Sequence, residues 1–402
     1  MVVSFPLRRV LALLAAVGTL LVLARSVSGS SWPPPGIMAA LGEKTKGRPT
    51  EGHRYKYTVV KGVFLQSEAS TSADGFDYAT TNFGLISRSY PTDVDADDED
   101  GGSAAQIRPL WLRFARYVDD LNAAAAETHS GAKYKVLFMG RHGEGDHNVA
   151  EAYYGTPAWN CYWAQQDDNS KDTTATTPIT WSDAHLTPVG AAQATRAHDV
   201  WADQLAVQKQ PAPQRYYVSP LTRCLQTAQL TFGGLALPAH SPFRPTIKER
   251  LREDVSTHTC DRRSTKTAIK KAFPGFVVEH GFAEHDPLWT GTTDEPPEDH
   301  DVRNQALLDD VFGSDDSTWI SFTSHSGAIA SLLRVLGHRP FPLSTGQIIS
   351  VLVRADRVDG HKGPGAGVPW TTADTCAAPP VTSIEGQGCV CQPTTAPGAP
   401  SV

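Results

Sequence analysis

Residues 136–144 read Val-Leu-Phe-Met-Gly-Arg-His-Gly-Glu, an apolar run that stops abruptly at Arg141-His142-Gly143, with Asn148 six residues past the histidine. A short apolar run bounded by glycine has the length and composition of a buried strand. Arg141 and His142 would then sit at the carboxyl end of that strand, where open α/β sheets place their ligands. An imidazole flanked there by a guanidinium and backbone amides is suited to attack an anionic phosphorus centre.

Working outward, the remaining candidate strands are Tyr134–Gly140 itself, Arg215–Ser219, Gly275–Val278, Trp319–Thr323 and Ile348–Arg354, with Tyr57–Val60 as an edge strand. Helical patterns follow most of them. Trp111, Phe114 and Val118 share one face of a helix, and Thr187-Pro188 supplies a cap and a proline suited to the first helical position. Alternating strands and helices predict an α/β fold: a three-layer α/β/α sandwich around a mostly parallel central sheet, over residues 105–358. Upstream, residues 31–104 form an extension that ends in an acidic loop. Its spaced aspartates do not make a calcium loop, because counting from Asp93 the sixth residue is Asp98 rather than glycine and the twelfth is Ala104 rather than glutamate. Residues 359–402 are rich in Pro, Gly and Thr, a composition that predicts disorder.

The 402-residue chain is 40% hydrophobic and 20% charged, enough to bury a full core. A net charge of -7 with no basic stripe argues against a nucleic-acid partner. Arg8 and Arg9 precede an apolar run, Val10 to Ala24, followed by small residues. Residues 1–30 therefore read as a secretory signal peptide, giving a secreted or lumenal protein. The alternatives are an uncleaved signal anchor, which would be the one membrane attachment, and an unused segment that leaves the protein in the cytoplasm. Six cysteines are compatible with disulfides in an oxidising compartment, though no Asn-x-Ser/Thr acceptor site occurs.

Three strands end in phosphate-holding residues. The first delivers Arg141 and His142, the second runs into Ser219-Pro220-Leu221-Thr222-Arg223, and the third into Ser324-His325-Ser326-Gly327. If the strands are neighbours, two arginines and two histidines meet at one edge of the sheet, beside helix N-termini that add N–H donors and partial positive charge.

With Arg141-His142-Gly143-Glu144 and Asn148, Ser219-Pro220-Leu221-x-Arg223, Leu251-x-Glu253 and Ser324-His325-Ser326-Gly327 in that order, the chain resembles the histidine phosphatase superfamily, in its phosphoglycerate mutase-like branch. The resemblance runs from about residue 132 to 355. The strings Asn148–Cys161 and Thr257–Arg263 look like fungal members. The resemblance implies that His142 is the nucleophile, that Arg141, Arg223 and His325 bind the equatorial oxygens, and that Asn148 adds a neutral donor. It implies Glu253 as proton donor and acceptor, with Asp254 as the substitute. Arg250, Arg252, Arg262 and Arg263 crowd Glu253 in sequence and would lower its pKa if near. No metal or cofactor is required, since guanidinium groups already supply the positive charge, and the partner is a small phosphorylated substrate.

The function expected is hydrolysis of phosphate monoesters through a phosphohistidine. A mutase that moves phosphate within a sugar acid is the alternative, and a non-catalytic phospho-ligand binding protein a further one. The family's glycolytic mutases carry Leu-Asn-Glu followed by a Tyr-Gly pair, whereas this chain continues Leu251-Arg252-Glu253-Asp254-Val255. His147 is a further candidate pocket residue. Cys224 reads as a small buried helix residue, and Trp159, Tyr162, Trp163 and Trp181 as either pocket wall or aromatic core.

Overall fold

The computed structural model describes residues 54–96, 108–128, 130–358, 370–373, 375–380, 382–383 and 389–391. The expected signal segment, and the acidic loop from residue 97 on, lie outside the described residues. In chain order the sheet and its helices begin with β1 (Arg54–Val59), α1 (Leu110–Glu127), β2 (Lys133–Arg141), α2 (Asp146–Tyr154) and α3 (Thr156–Cys161). They continue with α4 (Pro188–Asp203), β3 (Arg215–Val218), α5 (Thr222–Phe232), β4 (Thr246–Ile247), α6 (Lys266–Ala272) and β5 (Val277–Val278). After β6 (Thr293–Asp294) come α7 (Pro297–Ser314), β7 (Trp319–Ser324), α8 (Ser326–Val335), β8 (Ile348–Val358) and β9 (Thr371–Thr372).

Seven strands form one sheet in the order β1-β8-β2-β7-β3-β4-β5. The four pairings from β2 to β5 are parallel, and those that join β8 to β1 and to β2 are antiparallel. This is the mixed, mostly parallel α/β sheet expected from the alternation of elements. Residues 136–139 explain why it has two covered faces. Val136 and Phe138 pack with Trp111, Phe114 and Trp201 of α1 and α4, while Leu137 and Met139 pack with Leu307, Leu308, Ile329 and Leu332 of α7 and α8. A strand buried on both sides has no solvent face, so its sequence is continuously apolar instead of alternating. Each such side chain contributes about 1.5–3 kcal/mol on burial.

The folded unit reaches further upstream than residue 105. β1 alternates buried Tyr55, Tyr57 and Val59 with more exposed residues and closes the sheet edge against β8, while Phe64, Tyr78 and Phe83 join the aromatic core under α1. The C-terminal segment also departs from the disorder expected for 359–402. Among its described residues β9 pairs with β6, Cys376 is disulfide-bonded to Cys391, and the Cys376 amide donates to the Cys161 carbonyl at 2.9 Å. Cys376 is buried there with Trp159, Tyr162, Trp163 and Trp181, whose rings form an aromatic core rather than an open wall. Apolar burial and cross-linking offset the low hydrophobicity that suggested disorder.

Thr187 and Pro188 start α4 as the sequence predicts, with Thr187 Oγ1 accepting from the Gly190 amide at 3.1 Å. That first turn is wedged against the loop that follows β2. A Cβ on Gly190 would lie 2.0 Å from the Glu144 carbonyl oxygen, and one on Gly143 would lie 2.3 Å from the Gly190 carbonyl oxygen. Both obstacles are backbone, so neither residue tolerates a methyl without moving the loop. Gly190→Ala is expected to cost about 1–3 kcal/mol in a urea melt, as overpacking does. It should also lower turnover of any substrate of the site by about 100-fold, the scale of a roughly 1 Å misplacement. Native turnover in the folded variant would show that the loop does not set the position of His142.

Candidate active site

The parallel pairing of β2 with β7 aligns Arg141 with Ser324, so the next residue on each strand is a histidine, and the His142 amide donates to the Ser324 carbonyl at 2.9 Å. The rings of His142 and His325 lie 5.2 Å apart centre to centre. β3 flanks β7 on the other side, its exit fixed by a hydrogen bond from the Ser219 amide to the Thr323 carbonyl at 3.0 Å. Arg223 follows in the first turn of α5. Three segments far apart in sequence thus meet at one sheet edge.

His142 is 2% exposed. Its Nδ1 lies 2.7 Å from the Gly143 carbonyl oxygen. A carbonyl only accepts, so Nδ1 carries the proton and Nε2 is left with its lone pair. Burial, then the charges of Arg223 and Arg141, hold the imidazole well below its ordinary pKa and keep it neutral. Arg223 Nε donates to that Nε2 at 3.3 Å. Neutral, oriented by a carbonyl and faced by a guanidinium, Nε2 has the properties of a nucleophile toward phosphorus.

Arg223 is 1% exposed and could not be buried alone. Asp261 receives its Nη2 at 3.0 Å and the Cys260 carbonyl receives its Nη1 at 2.6 Å. The second Asp261 oxygen takes the Ser256 hydroxyl at 3.0 Å. Arg141 donates Nη1 to the Leu343 carbonyl at 2.7 Å, and its buried Nε has no partner among the described residues. Asn148 uses its side-chain oxygen to accept the Gly145 amide at 3.0 Å, which caps α2 and leaves the amide nitrogen as donor. His325 is fully buried, with Nε2 2.7 Å from Ser219 Oγ and 3.3 Å from Cys224 Sγ. Cys224 is therefore small and buried as expected, but it also touches the second imidazole. Burial pushes its thiol up out of the nucleophilic range.

The arginines adjacent to Glu253 in sequence do not surround its carboxylate. Arg252 is paired with Asp286 through two 2.7 Å bonds, Arg263 with Glu249, and Arg262 with Asp167. The Glu253 oxygens instead accept the amides of Gly327 at 3.1 Å and Ala328 at 2.8 Å, at the N-terminus of α8. Strand-loop geometry turns successive side chains in different directions, which is why proximity in sequence misled here. A Cβ on Gly327 would meet Glu253 Oε1 at 2.3 Å and Asp254 Oδ1 at 2.6 Å, so the two carboxyl groups share one spot. Burial, then the neighbouring Glu253 and Asp261 carboxylates, raise the Asp254 pKa well above the usual range and hold it protonated.

One group among the described residues has cation-site spacing: ligand atoms of His258, Cys260 and Asp261 lie within 4.8 Å of one another. Both Asp261 oxygens are already engaged by Arg223 and Ser256, and burial keeps the Cys260 thiol protonated. This donor set fits a cation poorly.

Sequence reading did not find Asp261, which neutralises Arg223, nor Asp183, whose carboxylate accepts the Thr222 amide and hydroxyl, each at 2.8 Å, where α5 begins. It also missed Thr227, whose hydroxyl receives the Gly143 amide at 3.0 Å. The one available signal was Arg223 itself, since a buried guanidinium demands a carboxylate.

Buried histidines among the described residues stay neutral: His142, His147 and His325 lie well below the ordinary value, His300, 3% exposed, falls to about 2, and His338 is also lowered, each chiefly through burial. Below pH ~6.5 the unfolded chain binds protons that the folded one refuses. Stability should therefore fall with acidification from about pH 6.5, by up to about 1.4 kcal/mol per pH unit for each histidine. Urea midpoints at pH 7.5 and pH 5 test this, and equal midpoints would contradict it.

Residues 169–348 match the family model of the histidine phosphatase superfamily (branch 1), a span holding Arg223, Glu253 and His325. The "Probable phosphoglycerate mutase" of Arthroderma benhamiae is 47% identical over 301 residues, 75% of this chain and 84% of that protein. "Phosphomutase-like protein 3" of Candida albicans is 37% identical over 254 residues, 63% of this chain and 75% of that protein. A "Probable phosphoglycerate mutase" of Saccharomyces cerevisiae is 32% identical over 240 residues, 55% of this chain and 78% of that protein. Identity at this level across most of both chains, on an α/β sheet whose central strands end in the two histidines, makes the chain a member of the histidine phosphatase superfamily, in its phosphoglycerate mutase-like branch.

Proposed function

We propose that the protein hydrolyses phosphate monoesters, with His142 Nε2 attacking phosphorus. The observation that carries this reading is the fixed tautomer of a buried, neutral His142 with Arg223 against its free lone pair. In the first step the N–P bond forms and the P–O bond to the alcohol breaks, leaving a phosphohistidine. Arg141 and Arg223 neutralise charge on the equatorial oxygens, and neutral His325 and Asn148 offer N–H donors. The departing alkoxide takes a proton from the Glu253–Asp254 pair, on which Asp254 is the protonated member. In the second step water attacks phosphorus, returns that proton to the pair and frees His142.

Hydrolysis rather than intramolecular transfer is supported by the Leu251-Arg252-Glu253-Asp254 string, in which a carboxyl group follows the glutamate where the mutases have other residues. The names of the relatives point to the mutase alternative. Turnover of an aryl phosphate with and without a bisphosphoglycerate primer separates the two: primer-independent release of phosphate is expected, and release only with primer would establish a mutase.

We infer that the catalytic unit spans residues 105–358 together with the upstream residues 54–96, whose β1, Phe64, Tyr78 and Phe83 join its sheet and core. The apolar run Val10–Ala24 and the disulfide Cys376–Cys391 support a protein made on the secretory route, and the fungal relatives support a fungal source.

His142→Ala should abolish hydrolysis, and retention of more than a few per cent would remove His142 as nucleophile. Asp254→Asn should slow release of a poorly acidic alcohol by about 100-fold or more while leaving an aryl phosphate, whose phenolate departs unprotonated, within about threefold. Equal losses on both substrates would take the proton-donor role away from the pair.

A further inference from the structure

His147, one residue before the capping asparagine, has no assigned part in the reaction above. It is the second residue of α2, 9% exposed, and its ring centre lies 5.4 Å from that of His142. His142 in turn is 5.2 Å from His325, so three imidazoles cluster where the charges of Arg141 and Arg223 act on them. The other two rings have partners: His142 holds the Gly143 carbonyl and Arg223, and His325 Nε2 meets Ser219 and Cys224. His147 differs. Its buried Nδ1 has no hydrogen-bond partner among the described residues.

A core histidine normally satisfies its ring nitrogens through backbone or side-chain partners, because an unmade bond to a buried polar atom is destabilising. The ring lies against Gly145, where an added Cβ would meet Nδ1 at 2.8 Å, and beside the nucleophile, with the charges of Arg223 and Arg141 acting on it. A neutral imidazole in such a place has one N–H to give and one nitrogen able to take up a proton. The ligand that answers all three neighbours is an oxyanion.

We propose that His147 is a phosphate-binding residue, donating a ring N–H to a non-bridging oxygen of the phosphoryl group that His142 attacks. The proposal rests on the reading of His142 as nucleophile and extends it by adding a third imidazole to the cradle. As negative charge builds on the equatorial oxygens, this donor strengthens with it and complements the fork of Arg223. Burial, then Arg223, His142 and Arg141, depress its pKa well below the ordinary value, so it meets the phosphoryl group as a neutral N–H donor.

The test uses the full-length protein with orthovanadate as the oxyanion probe and p-nitrophenyl phosphate as substrate. Variants His147→Ala and His147→Phe remove the donor, and His147→Asn keeps an N–H near the Nδ1 position. Both donor-less variants should weaken orthovanadate inhibition and lower kcat/KM by roughly tenfold or more, the size of a charge-assisted hydrogen bond. His147→Phe, which removes an unpaired buried polar atom, should not lower the thermal midpoint, and His147→Asn should recover part of the inhibition. Orthovanadate inhibition within about twofold of native in His147→Ala, with phosphohistidine still forming, would overturn the proposal and leave the hydrolase reading intact. Losses that track a lowered midpoint in all three variants, with no recovery in His147→Asn, would overturn it in favour of a core histidine. A native protein that forms no phosphohistidine, yet loses orthovanadate binding in His147→Ala, would refute the hydrolase reading and uphold His147 as an oxyanion-binding residue alone.

Discussion

The register between β2 and β7 is the constraint from which the site follows. Arg141 opposite Ser324 puts the next residue of each strand at the same height, and both are histidines. A one-residue slip would turn Leu137 and Met139 toward α1 and α4, and Val136 and Phe138 toward α7 and α8. The two apolar layers therefore hold the register, and the register holds the imidazoles. Packing in the middle of the sheet and chemistry at its edge are one mechanical system.

Electrostatics sets the second condition. Burial, and then the guanidinium groups around them, disfavour protonated imidazoles, and the rings stay neutral. Arg223 remains buried because Asp261 and the Cys260 carbonyl compensate it, and Asp261 is itself steadied by Ser256. Arg252, fully buried one residue before Glu253, is compensated in the same way by Asp286 and Glu249. The same cluster separates two roles among the carboxyl groups. Asp261 balances a cation, while Asp254 beside Glu253, with a carboxylate as its neighbour, keeps a proton.

Much of this was legible in the chain. The continuous apolar run before Arg141 gave away a doubly covered strand, and Thr187-Pro188 marked a helix start within a residue. The motifs around Arg223 and His325 placed both at strand ends because chain direction in a parallel sheet leaves no other outlet. Partners that come from loops were not legible. Asp261 and Asp183 reach the site through turns whose direction no periodicity records, and the arginines flanking Glu253 point elsewhere for the same reason; Thr227 sits on α5, but its contact with the Gly143 loop depends on how that loop folds back. The ordered stretch around Cys376 was missed because composition measures average burial, and a disulfide with a few aromatic contacts does not need much of it.

The contact between Gly143 and Gly190 bears on how the protein can be re-engineered. Two backbones touch there, so neither position offers sequence space, and the loop carrying the nucleophile is keyed to the start of α4 regardless of what the substrate is. Changes aimed at new specificity belong away from this contact, at positions where side chain meets side chain and one can yield to the next.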